Sequence, residues 1–431
     1  MKYIFGISLL CILYSCSDQQ LARSQDYNSF LTPTHFNLSV EKTWTEITFW
    51  QSRLQKDTGS YVNLLQLGFN YLGLFKLKGD VAFLKKGDSL IKRASAKLNQ
   101  SDPNILQVLS QVAITQHQFI TAAHYNQEAQ NKNGSGYIHA LLSFDAGMEL
   151  GQYQEAKQYL SRITDPTSFD FLIRKAKYLD HQGDMEGAIK RMEAALKKVE
   201  PAKKTGLYCW VLSNLADMYG HAGRTKEAYK AYLKVLAKDS ANLYALKGIA
   251  WIAYSHDKNT SEAKRILQFI TTQSTAPELY LTLAEIAGYE GNMAEKNWYT
   301  QHFLSLVEHP SYGAMYNKYL INAYLEASKD NEKALHLARH EIVSRPTPET
   351  YSWLAWVYYQ RGHTREALNI FTNYVKGRTF EPAALLKGAY ILAAANQKSE
   401  AKKLFSECLK SSFELGPGAT KQAEETLKNL F

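Results

Sequence analysis

Few residues in this chain have both the type and the spacing to do chemistry. His336 and His340 stand four apart with Glu341 adjacent, and on a helix that spacing can bring two imidazoles to one metal ion. No third ligand accompanies them. Two polar residues on an exposed helix face account for the pair, so no metal is expected. Ser89 and Lys92 have the SxxK spacing, which in a nucleophilic site puts a lysine beside a serine, but the partner motifs of that chemistry are missing. GxGxxG, GxxxxGK[ST], GxSxG and HExxH are all absent, which removes the corresponding nucleotide, hydrolase and metalloprotease readings. The expectation is a protein with no catalytic residues and no cofactor.

What remains is a series of aromatic and charged residues in one register. Trp251 and Tyr254 follow Ala250 by one and four residues, and Trp356 and Tyr359 follow Ala355 in the same way. Tyr390 follows Ala389 by one, and Tyr289 lies one place beyond the matching position after Ala284. Asp217, Glu285 and Lys177 share the register and add charge to it. Tryptophan and tyrosine offer large contact area with few rotamers to freeze, which is why they dominate binding hot spots. They also stack on sugar rings. The competing reading is that these aromatics are packing between neighbouring helices.

The elements that must position them are marked by small residues. Ala216, Ala250 and Ala284 are spaced by 34, as are Ala355 and Ala389, and Ala367 and Ala401. A glycine followed five residues later by alanine recurs as Gly151/Ala156, Gly183/Ala188, Gly223/Ala228 and Gly362/Ala367, with Asn396/Ala401 as a variant. A turn between antiparallel helices needs one residue in the left-handed region, which glycine adopts freely and asparagine tolerates. The alanine after it lets the second helix approach the first. No segment alternates as a strand does.

This pattern resembles the tetratricopeptide repeat. The segment from Tyr351 to Phe371 carries Trp353, Ala355, Tyr358, Gly362, Ala367 and Phe371 at signature positions, and the segment from Leu207 to Ser240 matches through Ala216, Tyr219, Gly223, Ala228 and Tyr232. The resemblance runs from Tyr61 to Leu409. The pair from Leu243 to Ile270 has one extra residue at its turn, Lys296 stands where alanine is usual, the unit from Tyr312 to Ile342 is stretched, and a long inserted turn is expected around Lys78 to Lys86. A leading helix is expected over Glu41 to Lys56 and a capping helix over Ala419 to Phe431. The implied fold is all-α: a right-handed solenoid of about nine or ten stacked antiparallel helix pairs. The resemblance also implies that the first helix of each pair lines a concave surface. That would place Trp251, Tyr254, Tyr289, Trp356, Tyr359, Tyr390, Asp217 and Glu285 in a candidate groove for an extended peptide or a partner's helix.

The first residues speak to compartment. Met1-Lys2-Tyr3 gives a short basic start, and Ile4 to Leu13 is uncharged and apolar. That run is too short for a stable span of about 20 residues but suits the core of a signal peptide. Leu13-Tyr14-Ser15-Cys16 then resembles a bacterial lipobox, in which the chain is cleaved before the cysteine and the cysteine is acylated. Residues 1–15 are thus expected to be a signal peptide, 16–40 a polar tether and 41–431 the solenoid. The lipid bilayer is the expected partner of Cys16, and Ser17 after it favours outer-membrane sorting in some bacteria. The formal charge of +9 falls to +8 once Lys2 is left out. It reads as solvated helix faces, and an exported chain is not expected to meet nucleic acid. Cys209 and Cys408 lie 199 residues apart, too far along a solenoid for the Cα separation of about 7 Å that a disulfide allows, so both are expected as free, buried thiols. The functional expectation is an envelope lipoprotein that binds other proteins through the concave face, with a carbohydrate- or nutrient-binding outer-membrane lipoprotein partnering a transporter as the alternative and an enzyme built on the helical scaffold as a distant third.

Overall fold

The computed structural model describes residues 20–199 and 204–430. Residues 1–15 and Cys16 therefore lie outside the described residues. A short helix α1 (Ser24–Tyr27) and a long α2 (Pro33–Lys56) lead into ten antiparallel pairs. The first five are α3/α4 (Tyr61–Lys78, Val81–Lys97), α5/α6 (Pro103–Thr115, Phe119–Asn131), α7/α8 (Gly136–Glu149, Tyr153–Ser161), α9/α10 (Phe169–His181, Met185–Val199) and α11/α12 (Thr205–His221, Thr225–Lys238). The next five are α13/α14 (Leu243–Ser255, Thr260–Gln273), α15/α16 (Glu278–Tyr289, Met293–Val307), α17/α18 (Asn317–Ala323, Asn331–Ser344), α19/α20 (Pro348–Gln360, Thr364–Ile370) and α21/α22 (Pro382–Ala394, Lys398–Cys408). A last helix, α23 (Ser412–Leu430), follows. There is no strand among the described residues. This is an all-α array of stacked antiparallel helix pairs, as expected.

The turn inside every pair carries one residue in the left-handed region: Gly79, His117, Gly151, Gly183, Gly223, Lys258, Gly291, Lys329, Gly362 and Asn396. Five places later stands the contact residue, which is alanine in every pair except for Leu84 and Lys296. The alanines are sealed: Ala156, Ala188, Ala367 and Ala401 have no accessible surface, nor do Ala216, Ala355 and Ala389 on the facing helices. Most turns close in the same way, as where the N–H of Arg224 reaches the carbonyl of Tyr219 and that of His363 reaches Tyr358, the backbone closure of a Schellman cap. The extra residue at the α13/α14 turn lengthens this bond, from Asn259 N–H to Ala253 O. The stretched eighth pair does the same from Asp330 to Tyr324, through a π-helical turn over Tyr324–Ser328.

Two sequence expectations are corrected. The insertion around Lys78 to Lys86 is not there. Gly79 and Asp80 alone make the turn, the Asp80 carboxylate accepts from the Ala82 N–H, and Lys85 and Lys86 are helical. The polar tether is also not one from Leu21 onward. The Asp257 carboxylate accepts from the N–H groups of Leu21 at 3.0 Å and Ala22 at 2.8 Å, and Tyr27 is fully buried with its hydroxyl on Glu262. An aspartate aimed at two consecutive N–H groups fixes the start of this segment, and α1 and the first turns of α2 occupy the rest of the expected tether.

The solenoid winds tightly enough for successive turns to touch. Lys78 O accepts from Ser274 Oγ at 2.9 Å and Thr275 N–H at 2.8 Å. Gly151 abuts Pro346, and Gly183 abuts the ring of Phe380. The turns of the first, third and fourth pairs thus each meet the loop that follows the fifth pair further on. Tyr312 closes the same seam by burying itself in the core formed by Val81, Leu84, Ile105 and Leu109.

Candidate functional site

The first helices of the pairs line the inner face, and within it lies a chamber of about 1070 Å³. It is built by α11, α13, α15, α16 and α17 on one side and by α23 on the other. Of the eight candidate groove residues, Asp217, Trp251, Glu285 and Tyr289 line it. Tyr254 sits behind them, fully buried, its ring edge-on to Trp251 at 5.6 Å and to Tyr289 at 5.7 Å. Trp356, Tyr359 and Tyr390 form a separate cluster, with Trp356 stacked on Tyr359 at 5.0 Å and tilted against Tyr390 at 5.9 Å. Tyr390 continues edge-on to Phe405. This second trio packs the last pairs together and does not line the chamber.

Asp217 has a structural task. It accepts from the hydroxyls of Tyr232 and Tyr244, the latter at 2.5 Å, tying α11 to α12 and α13. Both of its oxygens are engaged, so it offers a partner little free charge. Lys177, in the same register, is spent on Glu149 at 2.9 Å. Glu285 differs. Its Oε1 and the hydroxyl of Tyr254 are both sealed from solvent. Burial pushes the Glu285 carboxyl up to about 7; contact with the Tyr254 hydroxyl and the charge of Lys296 pull the other way, and Glu326 pushes it further up.

The sequence did not single out several residues of the site. Tyr244, Lys247, Glu278, Lys296 and Tyr319 line the chamber. Lys247 lies over the Tyr244 ring at 5.0 Å. The larger omission is α23, which begins seven residues before the expected capping helix and folds back into the inner face. Trp251 Nε1–H donates to Phe413 O at 3.0 Å, and Ser255 Oγ donates to the same oxygen at 2.7 Å. The available signal was Gly416-Pro417-Gly418, a break that helix periodicity skips over.

His336 and His340 are both exposed on α18, and no group of three metal-ligating side chains exists among the described residues. Cys209 and Cys408 are free and buried, as expected. No described helix is long and apolar enough to cross a membrane.

No family model matches the chain, and no curated protein matches it significantly. Among solved structures it is similar to a tetratricopeptide repeat protein from Parabacteroides merdae, at 17% identity and TM-score 0.35, over 61% of this chain and 98% of that one. It is also similar to a chain of the APC/C Cut9–Hcn1 hetero-tetramer, at 14% identity and TM-score 0.35, over 95% and 97% of the two chains. Yeast Tom70 is similar at 13% identity and TM-score 0.35, over 95% and 96%. Each is a likeness of helical-repeat architecture.

Proposed function

We propose that this chain is a protein-interaction scaffold that binds its partners in the inner groove of the solenoid, and that an acylated Cys16 holds it at a bacterial envelope. The observation that carries the first half is the chamber itself. Stacked first helices present Trp251, Tyr289, Tyr244 and Tyr319 together with Lys247 and Glu278, and α16 adds Lys296, around a space the core does not fill. Rigid helices present such a surface preformed, so little ordering entropy is lost on binding. The aromatic register favours a polypeptide over a glycan. Sugar stacking needs free ring faces, whereas Tyr254 is buried and Gly416 of the chain's own segment lies close against Trp251.

A photoreactive residue placed at Tyr319 or Met293, both exposed at the chamber, is expected to cross-link a defined protein in the native host. Recovery of lipid alone from both positions would refute the scaffold. The anchor rests on the Leu13 to Cys16 sequence and is tested separately: Cys16→Ala is expected to move the chain from the membrane fraction to the soluble one.

A further inference from the structure

The inner groove already holds a peptide, and it is the chain's own. The contacts to residues 413–418 are of the kind that recognise a segment in sequence order. Two side chains of α13 capture one main-chain oxygen, Phe413 O. The Phe413 ring lies against Gly220, where a Cβ would stand 2.5 Å from the ring. His221 faces the Glu414 carboxylate at 3.7 Å. Gly416 is left-handed at φ +81°, and a Cβ there would meet Glu285 Oε1 at 2.3 Å and Trp251 Cη2 at 3.0 Å. The groove thus reads an aromatic residue, an acid next to it and, two places after the acid, a position that only glycine fits.

The seat is shallow. Within α23 only Gly416, Pro417 and Ala423 are buried, and Phe413 and Leu415 are partly exposed. The chamber beneath stays open. Glu285 Oε1 is sealed from solvent and lies where a Cβ on Gly416 would fall, and burying a carboxylate opposes the docked state. By contrast, Gly388, Ala389, Ile391 and Leu392 of α21 are all buried.

We propose that residues 412–430 are a displaceable occupant of a peptide-binding groove, and that a partner protein enters by presenting in their place a segment with an aromatic residue, an acid beside it and a glycine two places after the acid. This rests on the scaffold reading above and assigns it a ligand chemistry and a gate. A tethered segment competes at an effective concentration in the millimolar range, so the closed chain binds a free copy of the segment weakly.

The probe is a labelled synthetic peptide of residues 412–430, followed by fluorescence polarisation against the full chain. The Gly416→Val chain, whose own segment no longer seats, is expected to bind it at least about 10-fold more tightly than the unaltered chain, because the tethered competitor is gone. Adding Trp251→Ala and Ser255→Ala should abolish that binding, and a peptide with valine at position 416 should not bind at all. Equal binding by the unaltered and Gly416→Val chains, or binding that survives Trp251→Ala and Ser255→Ala, overturns the proposal. Hydrogen exchange on the unaltered chain guards against misfolding of the variant. Amides of 417–430 should open at least about 10-fold more readily than those of α21, as a locally unfolding unit does, and equal protection again overturns it. A concentration-dependent dimer exchanging this helix between copies would give the groove to a second copy and rule out a foreign segment. Peptide binding without any cross-linked partner would retire the scaffold and leave the groove's specificity standing. A cross-linked partner without peptide binding would do the reverse.

Discussion

The guanidinium of Arg345 reaches the carboxylate of Glu149 at 3.0 Å across 196 residues of sequence. It joins the loop after the eighth pair to the end of the first helix of the third pair, and so binds one superhelical turn to the next. Lys177 holds the other oxygen of Glu149 at 2.9 Å, and the Arg345 guanidinium also lies over the Phe119 ring at 5.0 Å. Burial pushes the Glu149 carboxyl up, but Lys177 and Arg345 outweigh it and the net displacement is downward.

Arg345→Ala should therefore loosen the seam. Removing one partner of a part-buried pair leaves a charge less well compensated, and with Lys177 still in place the loss is expected at about 1–3 kcal/mol, short of the full cost of breaking a buried pair. Urea unfolding measures the loss, and small-angle scattering should show a larger radius of gyration as the turns separate. A depressed carboxyl contributes stability above its unfolded value and loses it as pH falls through the folded one. The unaltered chain should accordingly lose this contact in acid, and the variant should show a weaker acid dependence.

Gly388 of α21 faces Phe371, where a Cβ would lie 2.0 Å from ring atom Cε2, and Phe371 is only 1% exposed. Alanine gains about 1 kcal/mol of helix propensity over glycine, but overpacking a sealed ring costs about 1–3 kcal/mol. Gly388→Ala is thus expected to lower the melting temperature. Gly136, at the start of α7 with nothing within 4 Å of its missing Cβ, is the control, and Gly136→Ala should be neutral or mildly stabilising. A destabilised control would mean that the steric argument is not the cause.

Much of this architecture is legible from local signals, because each pair solves the same local problem. A left-handed turn residue and a small residue five places on suffice to place helices, and they do so even where the turn residue is His117, Lys258 or Lys329. Those three are not legible as turn residues, because the left-handed conformation is unusual outside glycine and asparagine. What local pattern does not carry is the pitch of the superhelix. The contacts of Gly151 with Pro346 and of Gly220 with Phe413 join residues nearly two hundred positions apart, and nothing in a 34-residue period encodes them. The groove is half legible for the same reason. The register after the repeated alanine found Trp251 and Glu285, but it could not tell that Trp356 and Tyr390 lie outside the chamber, nor that α23 would return to the inner face.

Cys209 and Cys408 should be silent in the folded chain. Burial pushes their thiols up, to about 11 for Cys209 and about 12 for Cys408, from an ordinary value of 9. Because the thiolate is the reactive form, displacements of this size cut its fraction by about 100-fold and 1000-fold at pH 8. In a chain carrying Cys11→Ser and Cys16→Ser, a disulfide reagent should modify neither thiol without denaturant and both once the chain unfolds. Rapid modification of Cys408 in the folded chain would mean that the last pair opens independently.

The seating of α23 should depend on pH through Glu285. Its Oε1 lies where a side chain on Gly416 would fall, so docking of residues 412–418 is what seals it. Tyr254 and Lys296 favour its charged form and Glu326 opposes it, yet burial dominates and lifts the carboxyl from 4.5 to about 7. A raised carboxyl contributes stability that is complete below its unfolded value and is lost as pH rises through the folded one. The window is therefore pH 4.5 to 7, and the change is no more than about 3 kcal/mol. Glu414, on α23 itself, is pushed the same way by burial, with Glu381 and Asp180 adding to the push and His221 and Lys318 resisting it. Hydrogen exchange over 412–430, corrected for the intrinsic rate, should then show looser seating at pH 8 than at pH 5.5. Glu285→Gln keeps the shape and removes the charge, so it should flatten most of that dependence and hold the segment more firmly at pH 8. If Glu285→Gln and the unaltered chain protect 412–430 equally at both pH values, the carboxyl is not what the segment seals.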